Sequence, residues 1–296
     1  MSKVVTTRLP DMNLQQEYLI GIYDSWPNNY EILSIPGYTQ KHGHRYTKCN
    51  QDAYIHYMLE PDLRVFGVLD GHGERGQQIS NWAKSRLIVY LKFLDCKDPK
   101  VHKMQPALAA LQQELQTKED AKASGTTFCG GILDSKTKTL HLANVGDSTC
   151  CLFRKSENRL EYKVVNRLHT PSDPDEVKRI EKKGGKIVDG YIDYEDGHLN
   201  LTRSLGDYNG TKSGISDQPE FFVQDLKNWD YLVCGSDGLF DYLDKEEMAK
   251  IILTRPEPDT AVINQLLINR AQKAWIEQNG GRYIDDITSV LIHLSF

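Results

Sequence analysis

Apolar runs that stop at an aspartate are the feature that most limits how this chain can fold. Val65-Phe66-Gly67-Val68-Leu69 runs into Asp70-Gly71-His72-Gly73, and Leu140 to Val145 into Gly146-Asp147-Ser148. Tyr231-Leu232-Val233-Cys234 runs into Gly235-Ser236-Asp237-Gly238, and Asp285-Asp286 opens a final run from Ile287 to Leu294. Short apolar runs bounded by turn residues read as buried strands. Glycine beside the carboxylate lets the backbone turn and come close to whatever the side chain holds. The fold must therefore pack several strands and display acidic side chains at their ends.

At 296 residues, 39% of them hydrophobic and 26% charged, the chain can bury a large core in one large domain or two smaller ones. The formal charge of -5 offers no electrostatic case for nucleic acid, which calls for a basic face. Cys49, Cys96, Cys129, Cys150, Cys151 and Cys234 form no Cys-x-x-Cys pair, which favours a reducing compartment over a zinc cage or a disulfide framework. Adjacent Cys150 and Cys151 read as small packing residues. The N-terminus lacks a signal-peptide core, and no run is long enough to span a membrane. The expectation is a soluble, monomeric protein of cytoplasm or nucleus.

Residues 1–36 read as an extension packed on or preceding the domain, with a turn at Trp26-Pro27-Asn28-Asn29, and residues 37–296 as the domain itself. Apolar spacing predicts helices over Ile79 to Leu94, Val101 to Lys118, Asp175 to Lys183, Lys245 to Leu253 and Asp259 to Gln278. Asp134-Ser135-Lys136 joins two strands as a hairpin, Thr127 to Leu133 with Thr139 to Val145, and a third strand runs from Thr149 to Arg154. Lys186 to Pro219, rich in glycine and charge with weak periodicity, reads as a surface loop or a mobile flap.

Carboxylates are hard oxygen ligands suited to Mg²⁺ or Mn²⁺. If the strand ends converge, Asp70, Asp147, Asp237 and Asp285 would form a site for two such ions, the arrangement that supports in-line displacement at phosphorus. His72, beside a candidate ligand, could protonate the leaving oxygen. One Asp-Gly at a strand end is ordinarily just a turn, and one histidine is ordinarily structural. Four such aspartates in one chain shift that balance without deciding it.

Six motifs in order decide it: Asp70-Gly71-His72-Gly73, Gly125-Thr126-Thr127, Gly146-Asp147-Ser148, Arg203-Ser204-Leu205-Gly206-Asp207, Ser236-Asp237-Gly238 with Asp241, and Asp285-Asp286-Ile287-Thr288. From about Tyr38 to Phe296 the chain resembles the PP2C (PPM-type) metal-dependent protein serine/threonine phosphatases. The resemblance implies an α+β fold, a four-layer αββα sandwich of two antiparallel sheets flanked by pairs of helices. It implies two principal Mg²⁺ or Mn²⁺ ions, with Asp70 bridging them, the Gly71 carbonyl on one, Asp237 and Asp285 completing the other, and Asp52 among the metal residues. Asp147 and Asp241 match the positions of a weaker third ion in some members, and His72 matches the general acid. Phosphoprotein substrates and hydrolysis by direct attack of metal-activated water, with no phosphoenzyme, follow from the same resemblance, and the segment after Gly185 would be the variable flap.

The first family motif departs. It normally offers Arg, three residues, then Glu-Asp, and here Thr47 stands for the arginine and Gln51-Asp52 for the acidic pair. Glutamine is uncharged, a poorer direct ligand that can still orient water. Arg45 or Lys48 is the candidate replacement for phosphate contact. The alternative with the same fold is a pseudophosphatase scaffold, and a two-metal phosphodiesterase is disfavoured by the acidic charge.

Overall fold

The structure, a computed structural model, describes residues 3–4, 22–23, 30–41, 44–93, 103–157, 159–195, 197–254 and 259–295. Two five-stranded antiparallel sheets dominate it. Their strands in chain order are β1 (Tyr30–Ile35), β2 (Ala53–Glu60), β3 (Leu63–Leu69), β4 (Phe128–Asp134), β5 (Thr139–Val145), β6 (Thr149–Ser156), β7 (Arg159–Val164), β8 (Glu220–Asp225), β9 (Tyr231–Gly235) and β10 (Ile287–His293). One sheet runs β8-β5-β4-β3-β2 and the other β7-β6-β9-β10-β1. The helices are α1 (Gly76–Phe93), α2 (Met104–Leu115), α3 (Pro174–Lys182), α4 (Asp237–Phe240), α5 (Lys245–Leu253) and α6 (Thr260–Asn279).

Strand periodicity explains how both faces of each sheet are covered. Successive side chains point to opposite faces, so Phe66 and Val68 of β3 join Leu232, Cys234, Val290 and Ile292 in a core between the sheets. Val65 and Leu69, one step away, pack with Ile79, Ala83 and Leu87 of α1 and Leu108 and Leu111 of α2. On the other sheet, Val233 and Leu291 meet Met248 and Ile252 of α5 and Ile263, Leu267 and Trp275 of α6. The three cores order the layers helix, sheet, sheet, helix. Each large side chain so buried contributes about 1.5–3 kcal/mol.

The cysteines follow the same alternation. Cys150 points into the inter-sheet core beside Cys129 and Cys234, and Cys151 points to the helical side. All four are fully buried and free, as packing residues would be. Burial raises the Cys151 thiol to about 12, so it stays protonated. Cys96 and the turn at residues 26–29 lie outside the described residues.

Helix starts carry local signals. Asp173, Asp244 and Asp259 each accept a hydrogen bond from a first-turn N–H of α3, α5 and α6, and Pro174 opens α3. Gly280 ends α6 in the left-handed conformation at φ +66°.

Three regions differ from the sequence expectation. β1 precedes residue 37, yet it pairs with β10 from Ile35↔Ile287 to Tyr30↔Ile292 and is an edge strand of the sandwich. β7 and β8, which apolar runs did not announce, are half-exposed edge strands. The Lys186–Pro219 segment is structured. Lys186–Val188, Tyr191–Tyr194 and Gly197–Leu199 form a three-stranded sheet, and Ile192, Leu199, Leu201 and Ile215 pack on Ile180 of α3 in a small core of their own. Among the described residues no helix is long and apolar enough to cross a membrane.

Candidate active site

Distant motifs meet because short strands pair across them. Gly71–His72, Gly125–Thr126 and Leu205–Gly206 form a three-stranded ribbon with Gly125–Thr126 in the middle. Thr127 then fixes the end of β3: its N–H donates to the Asp70 carbonyl at 2.8 Å, and its Oγ1 accepts the Asp70 N–H at 3.0 Å. The same Oγ1 lies 2.7 Å from Ser148 Oγ, tying the Gly146-Asp147-Ser148 turn to Asp70. Gly146 has φ +102°, and a side chain there would strike Thr127.

The loop before β2 is held from the far end of the chain. Asp286 Oδ1 accepts the Gly37 N–H at 2.6 Å and Oδ2 the Gln51 N–H at 2.8 Å. Ser236 Oγ donates to Asp52 Oδ2 at 2.8 Å and accepts the Thr288 N–H at 3.0 Å. Asp286 and Ser236 thus place Asp52, although the sequence reading gave neither a role. Its signal was only the second acidic residue of the Asp285-Asp286 pair and the serine before Asp237.

Asp70, Asp147, Asp237 and Asp285 are partly buried, Asp52 is buried and Asp241 is exposed. The charges of several of them act on their neighbours. Desolvation, then the charges of Asp237, Asp52 and Asp285, push Asp70 well above the usual carboxylate range. Desolvation with Asp147, Asp285 and Asp241 does the same to Asp237. Desolvation and Asp286 raise Asp52 to about 7, and desolvation, despite opposing contributions from a backbone hydrogen bond and His72, raises Asp147 to about 6. Asp241 and Asp286 are raised as well, chiefly by desolvation. Unlike charges would lower these values; like charges with too little water raise them.

The expected convergence is therefore electrostatic. Among the described residues no three His, Cys, Asp or Glu side chains stand at ligand distance of one point. The donor set nevertheless fits hard divalent cations: it is all oxygen, poor in cations, and Asp52 Oδ1 is buried without a hydrogen-bond partner. Gly71 sits in the same wall, where a Cβ would lie 2.5 Å from the Gly76 carbonyl oxygen and 2.6 Å from that of Gln51.

Among the described residues Lys48 is ion-paired to the group, and the charge of Lys245 acts on Asp241. Lys48 Nζ donates to Tyr283 OH at 2.6 Å and stands 3.4 Å from Asp285 Oδ1. Of Arg45 only the backbone, in the strand His44–Thr47, is described. Thr47 is exposed. Gln51 Nε2 donates to the Gly73 carbonyl at 2.8 Å, and the Gln51 main-chain carbonyl accepts from Ser80 Oγ at 2.6 Å.

His72 is partly buried on the ribbon, its Nε2 2.6 Å from Asp207 Oδ2. Burial alone would lower its pKa, but the Asp207 charge and hydrogen bond, with Asp147 beyond, outweigh that and raise it.

Known proteins resemble this chain over most of its length. Residues 37–280 match the family described as Protein phosphatase 2C, a span that stops short of Asp285. Protein phosphatase 2C 1 of Paramecium tetraurelia is 27% identical over 277 residues, covering 82% of this chain and 87% of the relative. Among solved structures, a serine-threonine phosphatase 2C from Toxoplasma gondii superposes with a TM-score of 0.70 at 16% identity, covering 93% of this chain and 99% of that one. A C. elegans sex-determining protein gives 0.71 at 23% identity, with coverages of 92% and 66%. At such identities the structures speak to the fold alone.

Proposed function

The chain belongs to the protein phosphatase 2C family, and on that premise we propose that it hydrolyses phosphoserine and phosphothreonine in proteins with Mg²⁺ or Mn²⁺ at the strand-end aspartates. Asp70, the Gly71 carbonyl and Asp52 would hold one ion, and Asp70, Asp237 and Asp285 the other. Asp147 and Asp241 would hold a weaker third. Bound there, such ions supply Lewis-acid stabilisation of phosphoryl charge and make water nucleophilic near neutral pH.

The supporting observation is the imbalance of charge. Asp52, Asp70, Asp147, Asp237 and Asp241 are all raised, the charge of Asp285 acts on each of them, and among the described residues the only lysine or arginine ion-paired to any of these six is Lys48. A group that unfavourable without cations is suited to binding them.

The chain's own residues do the rest. His72 holds a proton at the cleft and gives it to the departing serine or threonine oxygen, so an alcohol leaves instead of an alkoxide. Lys48 reaches the aspartates from the segment that lacks the family arginine, and its ammonium would contact substrate phosphate. Gln51 braces the Gly73 turn through its amide. The buried cysteines take no part.

The test is hydrolysis of a phosphothreonine peptide with Mn²⁺, with a chelator, and in the Asp237→Asn variant. Metal-dependent turnover lost in the variant is the expected result. A folded protein that binds phosphopeptide without turning it over would make the chain a scaffold.

A further inference from the structure

The family resemblance leaves Asp207 without a role, and its surroundings supply one. Asp207 is 1% exposed. Its Oδ2 lies 2.6 Å from His72 Nε2, while its Oδ1 is buried with no hydrogen-bond partner. A buried carboxylate needs compensation, and among the described residues the imidazole is its one hydrogen-bonded partner. Ser204 Oγ lies 3.4 Å from the same nitrogen, and the ring also has a hydrogen bond with the Asp70 main chain.

The backbone is built to make this meeting possible. Asp207 adopts a left-handed conformation, φ 50° and ψ 38°, directly after Gly206 at φ +116°. Its N–H donates to the Ser124 carbonyl at 3.2 Å, and its carbonyl accepts from the Gly210 N–H at 2.8 Å. In the ribbon, Gly125 stands opposite His72 on one side and Gly206 on the other. A Cβ on Gly125 would collide with Ser204 Oγ and Asp207 Oδ2 and lie 2.8 Å from His72 Nε2. The absence of a side chain at Gly125 is what lets His72 and Asp207 touch across the middle strand.

We infer that Asp207 is the positioning residue for His72, fixing the orientation of its imidazole and holding the hydrogen on Nε2. This rests on the phosphatase reading above. A carboxylate on one ring nitrogen selects the tautomer and leaves the other nitrogen to exchange its proton with substrate. The proton given up is then the one on Nδ1. As the P–O bond to the leaving group breaks, its electron pair takes that proton, the alcohol departs, and the imidazole remains neutral with Nε2–H still donating to Asp207.

Asp207→Asn separates charge from backbone, because asparagine tolerates the left-handed conformation. Protonation matters to a poor leaving group such as threonine and little to p-nitrophenolate. The variant is expected to lose turnover of a phosphothreonine peptide about tenfold more than turnover of p-nitrophenyl phosphate. His72→Gln should show the same split, and the double variant no further loss. Gly125→Ala, which wedges the pair apart, should repeat it.

An activity-independent readout is the downfield imidazole N–H resonance of His72, absent in His72→Gln and expected to move upfield in Asp207→Asn. Equal losses on both substrates, additive losses in the double variant, or an unmoved resonance would overturn the inference. A wild-type protein that hydrolyses neither substrate while the resonance responds as expected would instead refute the phosphatase reading and leave the pairing standing.

Discussion

Glu176 of α3 and Asp237 of α4 are both carboxylates drawn out of bulk water, and their neighbours differ in kind. Glu176, 2% exposed, is bracketed by Arg203 at 2.5 Å, Arg179 at 2.8 Å and the Thr202 hydroxyl at 2.7 Å. Desolvation opposes its charge, but these partners outweigh it and hold its pKa well below the usual range. Asp173 at the same helix accepts a two-pronged bond from Arg167, the leading cause of its fall to about 2. Asp237 has aspartates around it, and its pKa moves the opposite way. One region is a finished structural clamp that fastens the Arg203–Asp207 loop, and the other, on the proposed reading, is reserved for cations that come from outside.

Exchange of each carboxylate for its amide sharpens the contrast. Asp237→Asn should reduce turnover by about a thousandfold or more. In metal-free protein it should leave stability unchanged or raise it by about 1 kcal/mol, because a repelling charge is removed. Glu176→Gln should do the reverse, costing about 3–5 kcal/mol in denaturant unfolding by leaving Arg203 and Arg179 without their anion. Destabilisation by Asp237→Asn in the absence of metal would break the comparison.

The two regions also respond oppositely to pH. Asp52, at about 7, and Asp147, at about 6, lie above their unfolded values. Their contribution to stability is therefore present below about pH 4 and is lost as pH rises through 6 to 7. Glu176 and Asp173 are lowered, so theirs is present above about pH 4.5 and lost as pH falls toward the folded values. Metal-free protein should lose thermal stability from pH 5 to pH 7.5. Added Mn²⁺ should raise the unfolding midpoint more at pH 7.5 than at pH 5, where protons compete. An equal rise at both would detach the aspartates from the metal.

Lys48→Met is the smallest expected effect. The pair with Asp285 is about a third exposed and worth at most about 1 kcal/mol to the fold. The KM for phosphopeptide should rise severalfold while Mn²⁺ affinity holds or improves, since a competing cation has gone. An unchanged KM would remove Lys48 from the phosphate.

The sequence made the buried strands and their terminal aspartates more legible than the contacts that support them. Strands such as β3 and β9 are buried on both faces, so they read as apolar runs, and the aspartates that stop them stand within electrostatic reach of one another. The helices over Asp175 to Lys183, Lys245 to Leu253 and Asp259 to Gln278 were legible from apolar spacing, and Asp173, Asp244 and Asp259 cap them locally. β7 and β8 lie half in water and carry no such signal. The small sheet over Lys186–Leu199 is stabilised by a few residues, Ile192 and Leu199 among them, too sparse to show a period. The Asp207–His72 pair spans 135 positions and the Asp286–Gly37 bond 249, so both become visible only when the chain is folded.

Calorimetric titration of Mn²⁺ into metal-free protein at pH 6.5, in two buffers of different ionisation enthalpy, tests the reserved charge most directly. Saturable binding with proton release, both abolished or sharply reduced in Asp237→Asn and retained in Lys48→Met, is the predicted result. Binding without proton release, or binding indifferent to Asp237, would contradict it.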